Sequence, residues 1–159
     1  MNLEIIIFTI FILYVIILIY IIIKIIAKQS EIKRKEEEKI KIVIEGKGSL
    51  SVSDFFRIRN SYKGHLQDFD FMGCYILKNI TKNKCYVGQS KHVTQRINTH
   101  FSGKGNGDVY VDYRIGDIFE IYMIDITKTT YRRLDDLERY LIQLYNSNIT
   151  GYNKTKGNK

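Results

Sequence analysis

Between Leu3 and Ile23 the chain lacks glycine, lacks proline and, apart from Glu4 at the edge, lacks charge: LEIIIFTIFILYVIILIYIII. A helix that is apolar all round suits a membrane or the interior of a large protein, and this chain has only 159 residues. Two further absences narrow the reading. No Lys or Arg precedes the run, and Lys24 to Ser30 carries no A-x-A pattern, so the basic leader and small-residue cleavage site of a signal peptide are both missing. At 1.5 Å per residue, about 20 residues span roughly 30 Å, the thickness of a bilayer hydrocarbon core. Residues 1–27 therefore read as a retained, single-pass transmembrane anchor.

Basic residues begin directly after the run, with Lys24, Lys28, Lys33, Arg34 and Lys35. Because Lys and Arg stay on the cytoplasmic side, the N-terminus is expected outside and the C-terminal bulk in the cytoplasm. Cysteine is scarce as well, with only Cys74 and Cys85. In a reducing compartment both are expected as free thiols packing like small strand hydrophobes. The net charge of +8 divides evenly about residue 67. It points to a polyanionic partner, nucleic acid or the anionic inner leaflet, without choosing between them.

Residues 28–67 read as a charged stalk and linker. KQSEIKRKEEEKIKIVIEGKG is dense in Lys and Glu, with Glu31 and Lys35 at the i, i+4 spacing that supports a helix. Gly46, Gly48, Ser49, Ser51 and Ser53 mark a break. Phe55 to Leu66 mixes aromatics with Arg57, Arg59 and Lys63 and is left unassigned, with a short helix against the domain or against the membrane as the candidates. The folded domain is expected over 68–159, starting near Phe69, as an α+β unit in the order β, β, α, β, α. Gly73–Asn79 and Lys84–Gly88 are strand-like runs around the turn Ile80-Thr81-Lys82-Asn83. Ser90 can cap a helix running to about Ser102, with Val93, Ile97 and Phe101 as its apolar row, and GKGNG ends it. Ile118–Ile126 reads as a strand, and Thr129 or Thr130 can cap a last helix over 131–146.

Three features in this domain can carry chemistry. If the hairpin loop holds four residues, Tyr75 faces Gly88 and Leu77 faces Tyr86, which puts both phenols on one sheet face as diagonal neighbours, with space beside Tyr75 at the glycine. Taken alone, such a pair reads first as aromatic side chains packing on a core. Arg96 and His100 at i, i+4 share a helix face and suit a phosphate, the guanidinium for charge-assisted hydrogen bonds and the imidazole for proton transfer or one more hydrogen bond. A solvated helix edge is the plainer reading. Lastly, Leu134, Leu137, Leu141, Leu144 and Tyr145 form an apolar stripe, and position 138 inside it is Glu. A carboxylate there costs several kcal/mol, on the order of a typical buried charge, unless it is paired or binds metal. A salt bridge to Arg96 and a hard divalent cation are the two solutions.

Gly73-Cys74-Tyr75 and Tyr86-Val87-Gly88, followed by Arg96, His100, Glu138 and the Asn153 of GYNKT, resemble the signature of the GIY-YIG nuclease family over roughly Phe71 to Lys154. Cys74 and Val87 stand where the family has isoleucine. The resemblance implies a small three-stranded antiparallel sheet flanked by helices, and hydrolysis of DNA phosphodiester bonds with one divalent metal, Mg²⁺ or Mn²⁺. It implies that Glu138 holds the metal, that Tyr75 or Tyr86 acts as general base or orients the attacking water, that Arg96 stabilises phosphate charge, that His100 assists proton movement, and that Asn153 positions the glutamate or a nearby backbone segment. Of the phenols, Tyr75 is expected as the base, since Cys74 and Ile76 hold it in a rigid strand. The whole chain then reads as a membrane-tethered DNA endonuclease acting on the cytoplasmic side, against incoming DNA. The other reading is a tethered module of the same fold that only binds nucleic acid or protein.

Overall fold

The structure, a computed structural model, describes residues 2–46, 48–61 and 70–157, without the side chains of residue 33 and residues 36–46. The chain divides into two compact units, Met1–Ile40 and Lys41–Lys159.

The first unit is helical. Helix α1, Leu3–Gly46, begins there, and its stretch Leu3–Ile32 is long and apolar enough to cross a membrane, with none of that surface covered by protein. At 1.5 Å per residue it reaches roughly 45 Å, more than a hydrocarbon core. The Glu31–Lys35 pair expected from spacing forms at 2.8 Å. Gly48, at φ +68°, breaks the chain as expected.

The second unit is a four-stranded antiparallel sheet in the order β1-β4-β2-β3. Its strands are β1 (Leu50–Ser51), β2 (Gly73–Asn79), β3 (Lys84–Ser90) and β4 (Phe119–Asp125). Three strands were expected; the fourth is the two-residue β1, which pairs with the outer edge of β4 through Leu50 opposite Ile121. Ser51 and Ser53, expected in a linker, stand in this strand and in helix α2, Val52–Ser61. The helix expected between Phe55 and Leu66 is α2, and it buries Val52 and Phe55 in the core. The expected continuation to Leu66 and the domain start at residues 68–69 lie outside the described residues.

Strand β2 is central and covered on both sides. Its side chains alternate between two layers. Tyr75 and Leu77 join the α2 side chains together with Val93, Ile97 and Phe101 of α3 (Val93–Phe101), Val109 of α4 (Gly107–Arg114), and Phe119 and Ile121 of β4. The predicted Val93, Ile97, Phe101 row is buried throughout. On the other face Cys74 lies beneath α5, Leu134–Leu144, with its Sγ 3.9 Å from the Leu134 carbonyl. Leu137, Leu141 and Ile142 of α5 are fully covered. Each such aliphatic side chain contributes about 1.5–3 kcal/mol of burial. Both cysteines are buried and free, as expected.

Several local expectations changed. Helix α3 starts at Val93, because the Asp70 carboxylate accepts the Thr94 amide at 2.8 Å while Ser90 Oγ takes the His92 amide instead. Helix α4, an addition to the expected elements, is capped by Asn106 Oδ1 on the Val109 amide. Helix α5 begins at Leu134, and Thr129 closes a preceding 3-10 turn at Ile126–Lys128 rather than capping it. Leu144 is 47% exposed, so the stripe turns through Ile142 instead.

Candidate active site

The hairpin loop holds four residues. Tyr75 pairs with Gly88, Leu77 with Tyr86 and Asn79 with Lys84, and Asn83 closes the turn at φ +51°. The two phenol rings accordingly share a face, with centroids 6.2 Å apart. Gly88 is required by space: a Cβ there would sit 2.3 Å from the Tyr75 hydroxyl. Strand β3 is the sheet edge, and its free backbone groups are taken by the C-terminal segment. Asn153 Oδ1 accepts the Val87 amide at 2.8 Å and its Nδ2 donates to the Val87 carbonyl at 2.7 Å. Of the two alternatives for Asn153, the contact is with backbone, at the residue between Tyr86 and Gly88.

A pocket of about 370 Å³ lies across this edge, lined by Tyr75, Tyr86, Arg96, Glu138 and Asn153 among others. It draws the phenols from one face of the sheet and Glu138 from the other. This follows from strand alternation: Gln89 pairs opposite Cys74, on the α5 side, and Gln89 Nε2 donates to Glu138 Oε2 at 2.9 Å and to Asp135 Oδ1 at 2.7 Å.

Glu138 is 8% exposed. Among the described residues no cation lies within ion-pair distance of it, so the bridge to Arg96 does not form. A buried carboxylate oriented by one amide and facing a polar pocket is unsaturated as an acceptor. It fits a hard divalent ion, which takes one or two carboxylates and completes its shell with water and phosphate oxygen. Among the described residues no cluster of three or more His, Cys, Asp or Glu forms, which a one-carboxylate site does not need.

Arg96 is exposed at the pocket wall, and its charge acts on both phenols. Burial, then Tyr86, pushes the Tyr75 phenol up, with Arg96 opposing. Burial also raises Tyr86; the Arg96 charge opposes this and the Glu138 carboxylate adds to it. His100 differs from the solvated edge its spacing allowed. It is fully buried and stands behind the phenols, 4.7 Å from the Tyr86 ring centroid and 5.6 Å from that of Tyr75. Its Nε2 is 2.9 Å from the Tyr75 hydroxyl. Five of the six expected residues thus line the pocket, and His100 supports them from the core.

Sequence reading missed Gln89, Asn106, Tyr152, Lys154 and Thr155, all in the pocket wall. Gln89 follows the Tyr-Val-Gly motif directly, yet a polar residue at a strand end carries no periodic signal. Tyr152 was hidden by its distant partners: its hydroxyl donates to Asp112 Oδ2 and accepts from Asn79 Nδ2, both at 2.7 Å.

The sequence profile of the GIY-YIG catalytic domain matches residues 71–153. Two solved structures are similar to this chain. The catalytic domain of intron endonuclease I-TevI, in a point-mutant form, is 27% identical over 55% of this chain and 96% of that one, with a TM-score of 0.43. The catalytic domain of homing endonuclease I-TevI is 26% identical over 53% and 98%, also at 0.43. A comparison with curated proteins gives no match.

Proposed function

We propose a function from one premise: the chain belongs to the GIY-YIG nuclease family, whose profile spans residues 71–153, and is an endonuclease. Our reading is a membrane-anchored, divalent-metal-dependent DNA endonuclease that hydrolyses phosphodiester bonds on the cytoplasmic side. The observation that carries it is Glu138, buried, without a cationic partner among the described residues, and held toward the pocket that Tyr86 and Arg96 line.

Glu138 would hold the ion, with Gln89 fixing which carboxylate oxygen is turned to it. Such an ion supplies positive charge to the phosphate oxygens and favours deprotonation of neighbouring groups. The chain's own residues do the rest. Arg96 forks onto nonbridging oxygens as charge builds on them. The phenolate form of one tyrosine takes the proton from the attacking water, and we assign this role to Tyr86 rather than the Tyr75 expected from strand context. Tyr75 is 1% exposed and hydrogen-bonded to His100, whereas Tyr86 is only partly buried, lines the pocket, and has the Arg96 charge opposing the rise that burial imposes on it. As the water oxygen bonds to phosphorus, the ester bond breaks, and the sugar oxygen leaves with the bonding pair and takes up a proton from solvent. Asn153 keeps Tyr86 and Gly88 in register through Val87.

The anchor is supported by the stretch Leu3–Ile32, and the orientation by Lys24, Lys28, Lys33, Arg34 and Lys35 following it. Tethering of this kind confines cutting to DNA near the inner membrane, a position suited to incoming DNA. The test is nicking of supercoiled plasmid by the full chain in detergent micelles. Cleavage with Mg²⁺ that stops on chelation is expected; cleavage unaffected by chelation refutes the metal, and no cleavage with Mg²⁺ or Mn²⁺ refutes the nuclease.

A further inference from the structure

His100 has both ring nitrogens engaged. The Asn106 backbone amide donates to Nδ1 at 2.8 Å, and Nε2 lies 2.9 Å from the Tyr75 hydroxyl. A backbone amide only donates, so Nδ1 must present its lone pair, and a neutral imidazole then carries its proton on Nε2. The hydrogen bond to Tyr75 consequently runs from histidine to phenol, leaving the phenol's own proton to point elsewhere.

The turn that delivers this amide is built for it. Gly105 lies against the ring: a Cβ there would be 2.6 Å from Nδ1 and 2.8 Å from the His100 Cα. Asn106 is held from both sides, its Oδ1 accepting the Val109 amide at 3.1 Å and its Nδ2 donating to the Tyr152 carbonyl at 3.2 Å. GKGNG therefore does more than end α3. It joins His100, helix α4 and the residue preceding Asn153 at one backbone position.

We propose that the Gly105–Asn106 turn is a positioning device that fixes His100 as an Nε2–H donor to Tyr75, so that His100 orients the phenol pair and does not itself carry the proton of the reaction. For its bearing on cleavage this rests on the nuclease reading above; the tautomer stands apart from it. Burial, with Arg96 adding to it, holds the imidazole neutral well below pH 7. The charged or titratable groups facing it are Tyr75, Tyr86 and Arg96.

The test reads tautomer and rate separately. The full chain, labelled with ¹⁵N-histidine in detergent micelles, is examined by long-range ¹H–¹⁵N correlation at pH 7. His65→Gln and His92→Gln variants assign the third histidine by elimination. A pyridine-type Nδ1 with a protonated Nε2 is expected; the reverse tautomer, or an imidazolium, overturns the proposal. This reading holds even if plasmid nicking fails. In nicking assays His100→Gln retains an amide donor near the Nε2 position but no titratable group, so its rate is expected within about tenfold of the native chain, while His100→Ala loses about a hundredfold or more. A Gln variant as slow as the Ala variant, with its fold confirmed by an unchanged backbone spectrum, overturns the positioning role.

Discussion

At the residue scale, the site depends on which oxygen or nitrogen each proton occupies. Tyr86→Phe keeps the ring and removes the acceptor, so DNA binding is expected unchanged while single-turnover cleavage falls about a hundredfold or more; a quench-flow time course checks this, and undiminished cleavage removes Tyr86 from the base role. His100 gives a prediction about stability. An ordinary histidine titrates near 6.5, and burial pushes this one down to about 4. The unfolded chain takes up a proton as pH falls through 6.5, and the folded chain does so only near 4. Stability from the neutral buried ring is thus complete above 6.5 and lost progressively toward 4, by on the order of 3 kcal/mol. Urea midpoints of the native chain and His100→Gln should converge as pH falls across that window. The site was legible at this scale where chemistry sat on a periodic pattern, as with Glu138 among leucines. His100 was legible by spacing and misjudged in burial, because the groups that cover it, Tyr75 and the Gly105–Asn106 turn, come from elsewhere in the chain.

At the scale of elements, the pocket exists because β3 is an edge strand that the C-terminal segment closes with a side chain instead of a fifth strand. Asn153 supplies one acceptor and one donor to Val87, copying a ladder pair. Asn153→Ala leaves a buried amide and carbonyl unpartnered, and the expected cost is about 1–3 kcal/mol. Urea denaturation measures that loss; hydrogen exchange should show the Val87 amide deprotected while β2 stays protected. The long elements were readable beforehand, since Val93, Ile97 and Phe101, or Leu137 and Leu141, repeat at helical spacing. Short ones were not. Two residues of β1 carry no period, and α4 depends on Asn106 as its cap and on one buried residue, Val109.

For the whole molecule, the nuclease domain and the long apolar helix sit in separate stretches of sequence. On the proposed reading DNA is held through its phosphates, so affinity should drop steeply as salt rises, as counterion release requires. Fluorescence anisotropy between low and physiological salt measures the slope, and a flat response contradicts phosphate-dominated binding. The long apolar helix was legible from composition, because the run from Ile5 to Ile23 carries no charge, glycine or proline. The four-stranded sheet was legible in its three long strands, and the fourth came from a segment whose serines and glycines resembled a linker. What unites these levels is one carboxylate facing a polar pocket across a sheet edge. The most direct measurement is plasmid nicking by the full chain with Mg²⁺ beside its Glu138→Ala variant, both shown to be folded and to bind DNA equally. The native chain should cut and the variant should lose cleavage to the buffer background; nicking by the variant at the native rate would contradict the role given to Glu138.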